Sequence, residues 1–430
     1  MILRLISFLF RLQVSSQAKF VPTSSEAATQ TQRAEVRDFS NRELQVILLG
    51  TEWRSTKGGL STINRELAKE LSTNPKVKVT LFVPQSTCSE DDKEIARRHG
   101  IAIIEAEKPQ DSDDQLSLPK ELIIDVIIGH GVKLGRQAKV IRDLHRCKWV
   151  QMVHTAPQQL SMYKNYPRPI SKGEEKNLSE VALCEEADLV VTIGPKLREF
   201  VSVSLRSCGR EQTVFPMMPG IFSEFYCVKS SPVDAENFYL LAFGRCDPED
   251  FYLKGFDIAA EALAELDERS YHLTVVGATD GKQEQLVEDL LKHGISRCQL
   301  TVNTFCKDRE SLGKVFSQND LVIMPSKTEG FGLTALEALS AGLPILVSSN
   351  SGFADALKKV PFGEMYVVEE FENVKEWAKK IKAVRNKNRA QRLEEIKKLR
   401  TMYKEKYSWE KQCENLVARM TSLVHGMLSL

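Results

Sequence analysis

From residue 44 to the end of the 340s the chain repeats one local pattern: a short apolar run, a turn signal, then a segment whose apolar residues recur at helical spacing. Runs of about four to eight residues are of strand length. Their near-continuous hydrophobicity suits strands covered on both faces, and strand–helix alternation of this kind is the signature of a parallel α/β sheet. The first unit is LQVILLG (44–50), the loop TEWRSTKGG, and LSTINRELAKEL (60–71), which carries apolar residues at 60, 63, 67, 68 and 71. Further strands are expected at 78–83, 101–106, 122–128, 148–153 and 188–193.

Around FSEFYCVKSSPVDAEN (222–237) the periodicity lapses into a polar, Ser-Ser-Pro-bearing stretch, which reads as an interdomain linker. The alternation then restarts, with strands expected at 238–244, 271–277, 298–303, 320–325 and 343–348 and helices near 255–267, 282–293, 308–317 and 332–341. The expected organisation is an extension at 1–40, a first α/β domain at 41–222, a linker at 223–237, a second α/β domain at 238–405 and a terminal helix at 406–430. Two doubly wound α/β halves in 430 residues bind ligands at the carboxyl ends of their strands, and two such halves facing each other form a cleft.

The extension begins MILRLISFLFRLQVSS, too short an apolar stretch, broken by Arg4 and Arg11, to span a bilayer. No acid precedes Glu26, so residues 1–25 read either as a loosely held extension of a cytoplasmic protein or as a mitochondrial or secretory leader. Nine cysteines with no C-x-x-C pair give neither a disulfide framework nor a zinc site. Lysine plus arginine number 59 against 58 acids, which argues against a nucleic-acid binder. That balance is uneven along the chain: residues 375–406 hold thirteen Lys or Arg and four Glu, a local +9 that leaves −8 elsewhere. A basic stretch of this kind is either a solvated helical face or a peripheral membrane contact with anionic lipid.

The most informative string is PSKTEGFGLTALEALSAGLPIL (325–346), a strand end, a Gly-punctuated loop and a helix. The amides of Gly330, Phe331, Gly332 and Leu333 would point from a helix N-terminus at an anion or at sugar hydroxyls. Glu329 and Glu337, two helical turns apart, can face one side, and ionised carboxylates accept from paired hydroxyls. In FGRCDPEDFYLKGFDIAAEAL (243–263), Arg245 and Lys254 flank a strand-to-helix loop as fixed cations suited to a diphosphate. Lys57, Gly58 and Gly59 close the first loop, and His130 and His154 end two strands. Gly129-His-Gly131-Val-Lys-Leu-Gly135 has the wrong spacing for a dinucleotide loop, and no Walker, zinc-protease, serine-hydrolase or calcium motif occurs.

Taken together these strings resemble the retaining glycosyltransferases of family 4, which have the GT-B fold of two Rossmann-like domains facing a cleft, with a C-terminal helix that crosses back. The resemblance covers about residues 44–410 and is most specific at 320–348. It implies Glu329 near the transferred sugar, Glu337 on the nucleotide ribose, and Gly244-Arg245 with Lys254-Gly255 on the donor diphosphate. It further places His154 beside the donor sugar and Gly58 and Gly59 opposite the donor, as in the glycine-rich loop of starch and glycogen synthases. The implied reaction moves a hexose from a UDP-, GDP- or ADP-sugar to a hydroxyl of a small-molecule, glycan or lipid-linked acceptor, with retained configuration and with no metal, cofactor or nucleic acid. One departure is the long 245–254 loop, which carries Asp247, Glu249 and Asp250. A catalytically silent sugar-nucleotide module and a sugar-nucleotide epimerase are the alternatives.

Overall fold

The computed structural model describes residues 42–56, 58–106, 118–119, 122–306 and 308–426. Lys57 and the extension at 1–40 lie outside them. Seven strands build a first parallel sheet: β1 (Leu44–Leu49), β2 (Val77–Pro84), β3 (Ala102–Ala106), β4 (Val126–His130), β5 (Lys148–Val153), β6 (Leu189–Ile193) and β7 (Val214–Met217), in the order β3-β2-β1-β4-β5-β6-β7. A second comprises β8 (Phe238–Phe243), β9 (Tyr271–Ala278), β10 (Leu300–Thr304), β11 (Leu321–Met324), β12 (Ile345–Ser348) and β13 (Val367–Val368), in the order β10-β9-β8-β11-β12-β13. Every pairing is parallel, for instance Val46 with Val126 and Leu321 with Leu240. In each sheet the order reverses beside the first strand, at β1/β4 and at β8/β11, and it is at such reversals that the loops part to leave a crevice.

Two features depart from the sequence reading. β4 begins at Val126, not at Leu122, because Asp125 fixes its start: the carboxylate accepts the Gln45 amide at 2.8 Å and an Arg42 guanidinium hydrogen bond at 3.0 Å. The edge strands β7 and β13 escaped notice because one contains Pro216 and the other has only two residues; proline is tolerated on edges, where an amide need not donate to the ladder.

The final helix, Trp409–Val424, returns to pack on the helix Gly59–Ser72 of the first half, with Leu416 and Met420 fully buried and the Gln412 side chain accepting the Met218 amide at 3.1 Å. One apolar cluster accordingly runs through both halves, from β1 and Phe222 to Phe331, Phe353 and Tyr403. The basic stretch forms the helices Val374–Arg385 and Arg389–Lys406. Part of its charge turns inward: Arg389 and Arg392 are buried against Asp320, whose other oxygen accepts the Tyr239 amide at 2.9 Å. Those two arginines therefore brace the second sheet and are not part of a solvated face. Among the described residues no helix is long and apolar enough to cross a membrane.

Candidate active site

Between the halves lies a cavity of about 1600 Å³. Its lining includes Gly58, Gly59 and His154 from the first half and Arg245, Lys254, Glu329, Gly330, Phe331, Gly332, Leu333 and Glu337 from the second. The sequence-derived candidates are thus brought together at the strand ends beside both reversals, with His130 behind His154 rather than on the wall.

The loop after β11 is held from beneath. The Glu329 amide donates to the Asn350 carbonyl at 3.1 Å, and Lys196, reaching over from the first half, donates to Thr328 Oγ1 at 2.8 Å and to Asn350 Oδ1 at 2.6 Å. Burial lowers the Lys196 ammonium to about 8. Gly332 caps the helix Leu333–Ser340, and among the described residues nothing accepts from the amides of Gly330, Phe331, Gly332 and Leu333, four residues of the cavity lining, so these donors are uncommitted. Gly330 is obligatory for proximity: a Cβ there would stand 2.6 Å from the His154 carbonyl oxygen. The Phe331 ring is spent on packing against Phe353 and Gly194, which leaves only its backbone for a ligand.

Glu329 Oε1 is 2.5 Å from Lys254 Nζ and accepts from Ser326 Oγ at 3.1 Å. The carboxylate and the ammonium therefore satisfy each other, and an incoming anion must share Lys254. Arg245 is freer, its side chain 62% exposed and 3.7 Å from Asp247. The long acidic loop has a definite use: Glu249 and Asp250 cross to Lys164 of the first half at 3.0 and 2.9 Å, and the Asn165 amide donates to the Glu249 carbonyl at 3.0 Å. Two of its three acids thus bridge the halves instead of neutralising Arg245.

Glu337 belongs to a buried network that sequence reasoning missed. Arg309 binds both Glu337 and Glu224, and Arg65 binds Glu224 at 2.7 Å, with the Arg309 guanidinium 4.5 Å above the Phe225 ring. Burial pushes the Glu224 carboxyl up, but the flanking Arg65 and Arg309 outweigh it and hold it below its ordinary value. Arg309 engages Glu337 through Oε1, leaving Oε2 available to the cavity.

The histidines form a relay. Asn64 Nδ2 donates to the Leu49 carbonyl at 3.0 Å, so Asn64 Oδ1 must accept from His130 Nε2 at 2.9 Å. His130 Nδ1 is then an acceptor, and His154 Nε2 donates to it at 2.9 Å. His154 consequently keeps a lone pair on Nδ1. Burial lowers the His154 imidazole to about 4 and drives His130 well down, the more so beside its neighbour, so both are neutral at pH 7. A neutral His154 in this tautomer accepts a hydroxyl hydrogen bond through Nδ1, its one N–H being donated to His130. Asn64, in the middle of a helix that reads only as amphipathic, carried no signal in the sequence.

The cleft thus combines two cations, four amides at a helix N-terminus, two carboxylates and a neutral imidazole acceptor, a set suited to a diphosphate joined to polyhydroxylated groups. Several known proteins are similar. D-inositol 3-phosphate glycosyltransferase of Mycobacterium leprae is 24% identical over 308 residues, covering 68% of each chain; an uncharacterised glycosyltransferase of Methanocaldococcus jannaschii is 33% identical over 105 residues, 24% of this chain and 26% of its own. Among solved structures, sucrose-phosphate synthase of Thermosynechococcus elongatus superposes with a TM-score of 0.68 at 18% identity, covering 89% of this chain and all of that one. HepE of Anabaena, determined with UDP and glucose, gives 0.64 at 16% identity over 88% of this chain and 100% of its own. These two share the fold. The profile that describes the family 4 glycosyltransferases in conflict systems matches residues 47–416, and the chain belongs to that family of GT-B glycosyltransferases.

Proposed function

We propose that this glycosyltransferase transfers a hexosyl group from UDP-hexose to an acceptor hydroxyl with retention of configuration, residues 238–405 holding the donor and 41–222 the acceptor. The observation that carries this reading is the meeting, in one cavity lining, of Arg245, Lys254, Glu329, the uncommitted 330–333 amides and Glu337 of the second half with His154 and Gly58-Gly59 of the first. UDP is the favoured nucleotide because HepE, of the same fold, was determined with UDP and glucose. In this scheme Glu337 Oε2 accepts from the ribose and His154 Nδ1 from a hexose hydroxyl. The diphosphate lies against the amides, Arg245 and Lys254.

The chemistry follows from charge. Breaking the anomeric carbon–oxygen bond leaves negative charge on the departing β-phosphate, and donors fixed in advance stabilise it without reorganising. The acceptor hydroxyl attacks the same face, giving its proton to the leaving phosphate oxygen; no side chain need act as nucleophile. When the diphosphate draws Lys254 away, Glu329 loses its cation and is left beside the sugar, able to accept from its hydroxyls or to favour positive charge at the anomeric centre. The bridges through Lys164 and Lys196 keep the halves together, which excludes water and favours transfer over hydrolysis. A thermal-shift titration with UDP, GDP and ADP tests the donor half: UDP should raise Tm most, and no shift with any of the three would refute the assignment.

A further inference from the structure

The helix Pro169–Glu186 carries one buried carboxyl, for which the donor scheme has no use. Glu180 is 6% exposed and lines the cleft, and among the described residues its Oε1 has no hydrogen-bond partner. Buried polar atoms are nearly always paired, and one left over in a cavity wall signals a missing partner. The wall leads there directly from the donor end. β5 delivers His154, and Thr155, Pro157 and Leu160 continue the lining to Glu180. The short helix Pro157–Ser161 is pressed onto the longer one at Gly173, where a Cβ would stand 2.3 Å from Ser161, so this wall is rigidly backed. Burial raises the carboxyl to about 8. A neutral carboxyl offers one donor and one acceptor side by side, the complement of a hydroxyl, which also does both.

We propose that Glu180 recognises the acceptor: a polyhydroxylated ring, sugar or cyclitol, seats one hydroxyl against this carboxyl while a neighbouring hydroxyl points at the donor. This rests on the donor reading above.

The test is saturation-transfer NMR on the UDP-saturated protein with methyl α-glucoside, methyl α-mannoside, methyl α-galactoside and myo-inositol. At least one should bind the wild type. Glu180→Leu should weaken that polyol about tenfold or more, as expected for losing a buried hydrogen-bonded partner. Glu180→Gln, which still donates and accepts, should stay within about threefold, and UDP affinity should not change in either. Glu180→Met serves if leucine fails to pack. Without ligand the apolar variants should melt no lower than the wild type, because they delete an unsatisfied polar group. No polyol bound to the UDP-loaded wild type, equal binding by the apolar variants, or a marked fall in their Tm would overturn the inference. Failure of UDP itself to bind the wild type would instead remove the donor reading on which it stands.

Discussion

His130→Leu should release the His154 imidazole from a fixed tautomer, and the geometry sets how firmly it is held. In the intact relay three hydrogen bonds of 2.9 to 3.0 Å run from the Leu49 carbonyl through Asn64 and His130 to His154. Moving the His154 proton to Nδ1 sets two lone pairs face to face, either at the histidine pair or, if His130 also reverses, at Asn64. Each buried group left unsatisfied costs about 1–3 kcal/mol, so two cost about 2–6. The native tautomer is therefore favoured by at least about 30-fold. Long-range proton–nitrogen NMR reads this directly, since the chain has only seven histidines and His154→Gln assigns the signal. The wild type should show a bare Nδ1 and a protonated Nε2; His130→Leu should give a mixture and lose stability of the same order, with a lower hexosyl-transfer rate. A wild-type His154 protonated on Nδ1, or an even mixture, would refute the reasoning.

Other expectations follow from the same network of contacts. Because burial holds His154 near 4 while an unfolded histidine titrates near 6.5, its contribution is complete above pH 6.5 and is lost as pH falls through 4, at most about 3 kcal/mol; His154→Gln should flatten the stability curve over that window. Lys254→Met should lower kcat by about 100-fold or more if the cation acts on the departing phosphate, whereas a rise in KM alone would confine it to binding. Arg309→Met strands Glu337 in buried surroundings and leaves Glu224 to Arg65, and should cost about 3–5 kcal/mol in denaturant unfolding, with UDP binding weakened as well. Asp320→Asn removes the shared partner of Arg389 and Arg392 and should cost a similar amount while leaving UDP affinity unchanged.

Much of the architecture was legible because parallel strands advertise themselves. ILL, LFV, VVTI and VIM are buried on both faces and leave no ambiguity of period. The start of β4 was not legible, because a carboxylate at Asp125 pairing with a residue more than eighty positions earlier fixes it, and no local pattern encodes that contact. The donor wall was legible through glycines and charges clustered in two short strings. Arg309, Glu224, Arg65, Lys196 and Asn64 were not, since each lies on an ordinary helix or loop and gains its meaning from a partner far along the chain. Even so, a signal existed for Glu180: within PISKGEEKNLSEVALCEE it falls at helical spacing with Leu183 and Cys184, on the buried face, where an acid is out of place. The basic 375–406 stretch shows the reverse error, since a charge count cannot tell a solvated arginine from one folded inward onto Asp320.

Release of UDP from UDP-glucose, followed for the wild type and for Glu329→Ala at equal protein concentration with and without a polyol acceptor, tests the donor assignment most directly. Wild type should release UDP, faster with the acceptor, and the variant should be slower by about 100-fold or more while still binding UDP. Wild-type rates from Glu329→Ala would contradict the placing of the transferred sugar at the loop after β11.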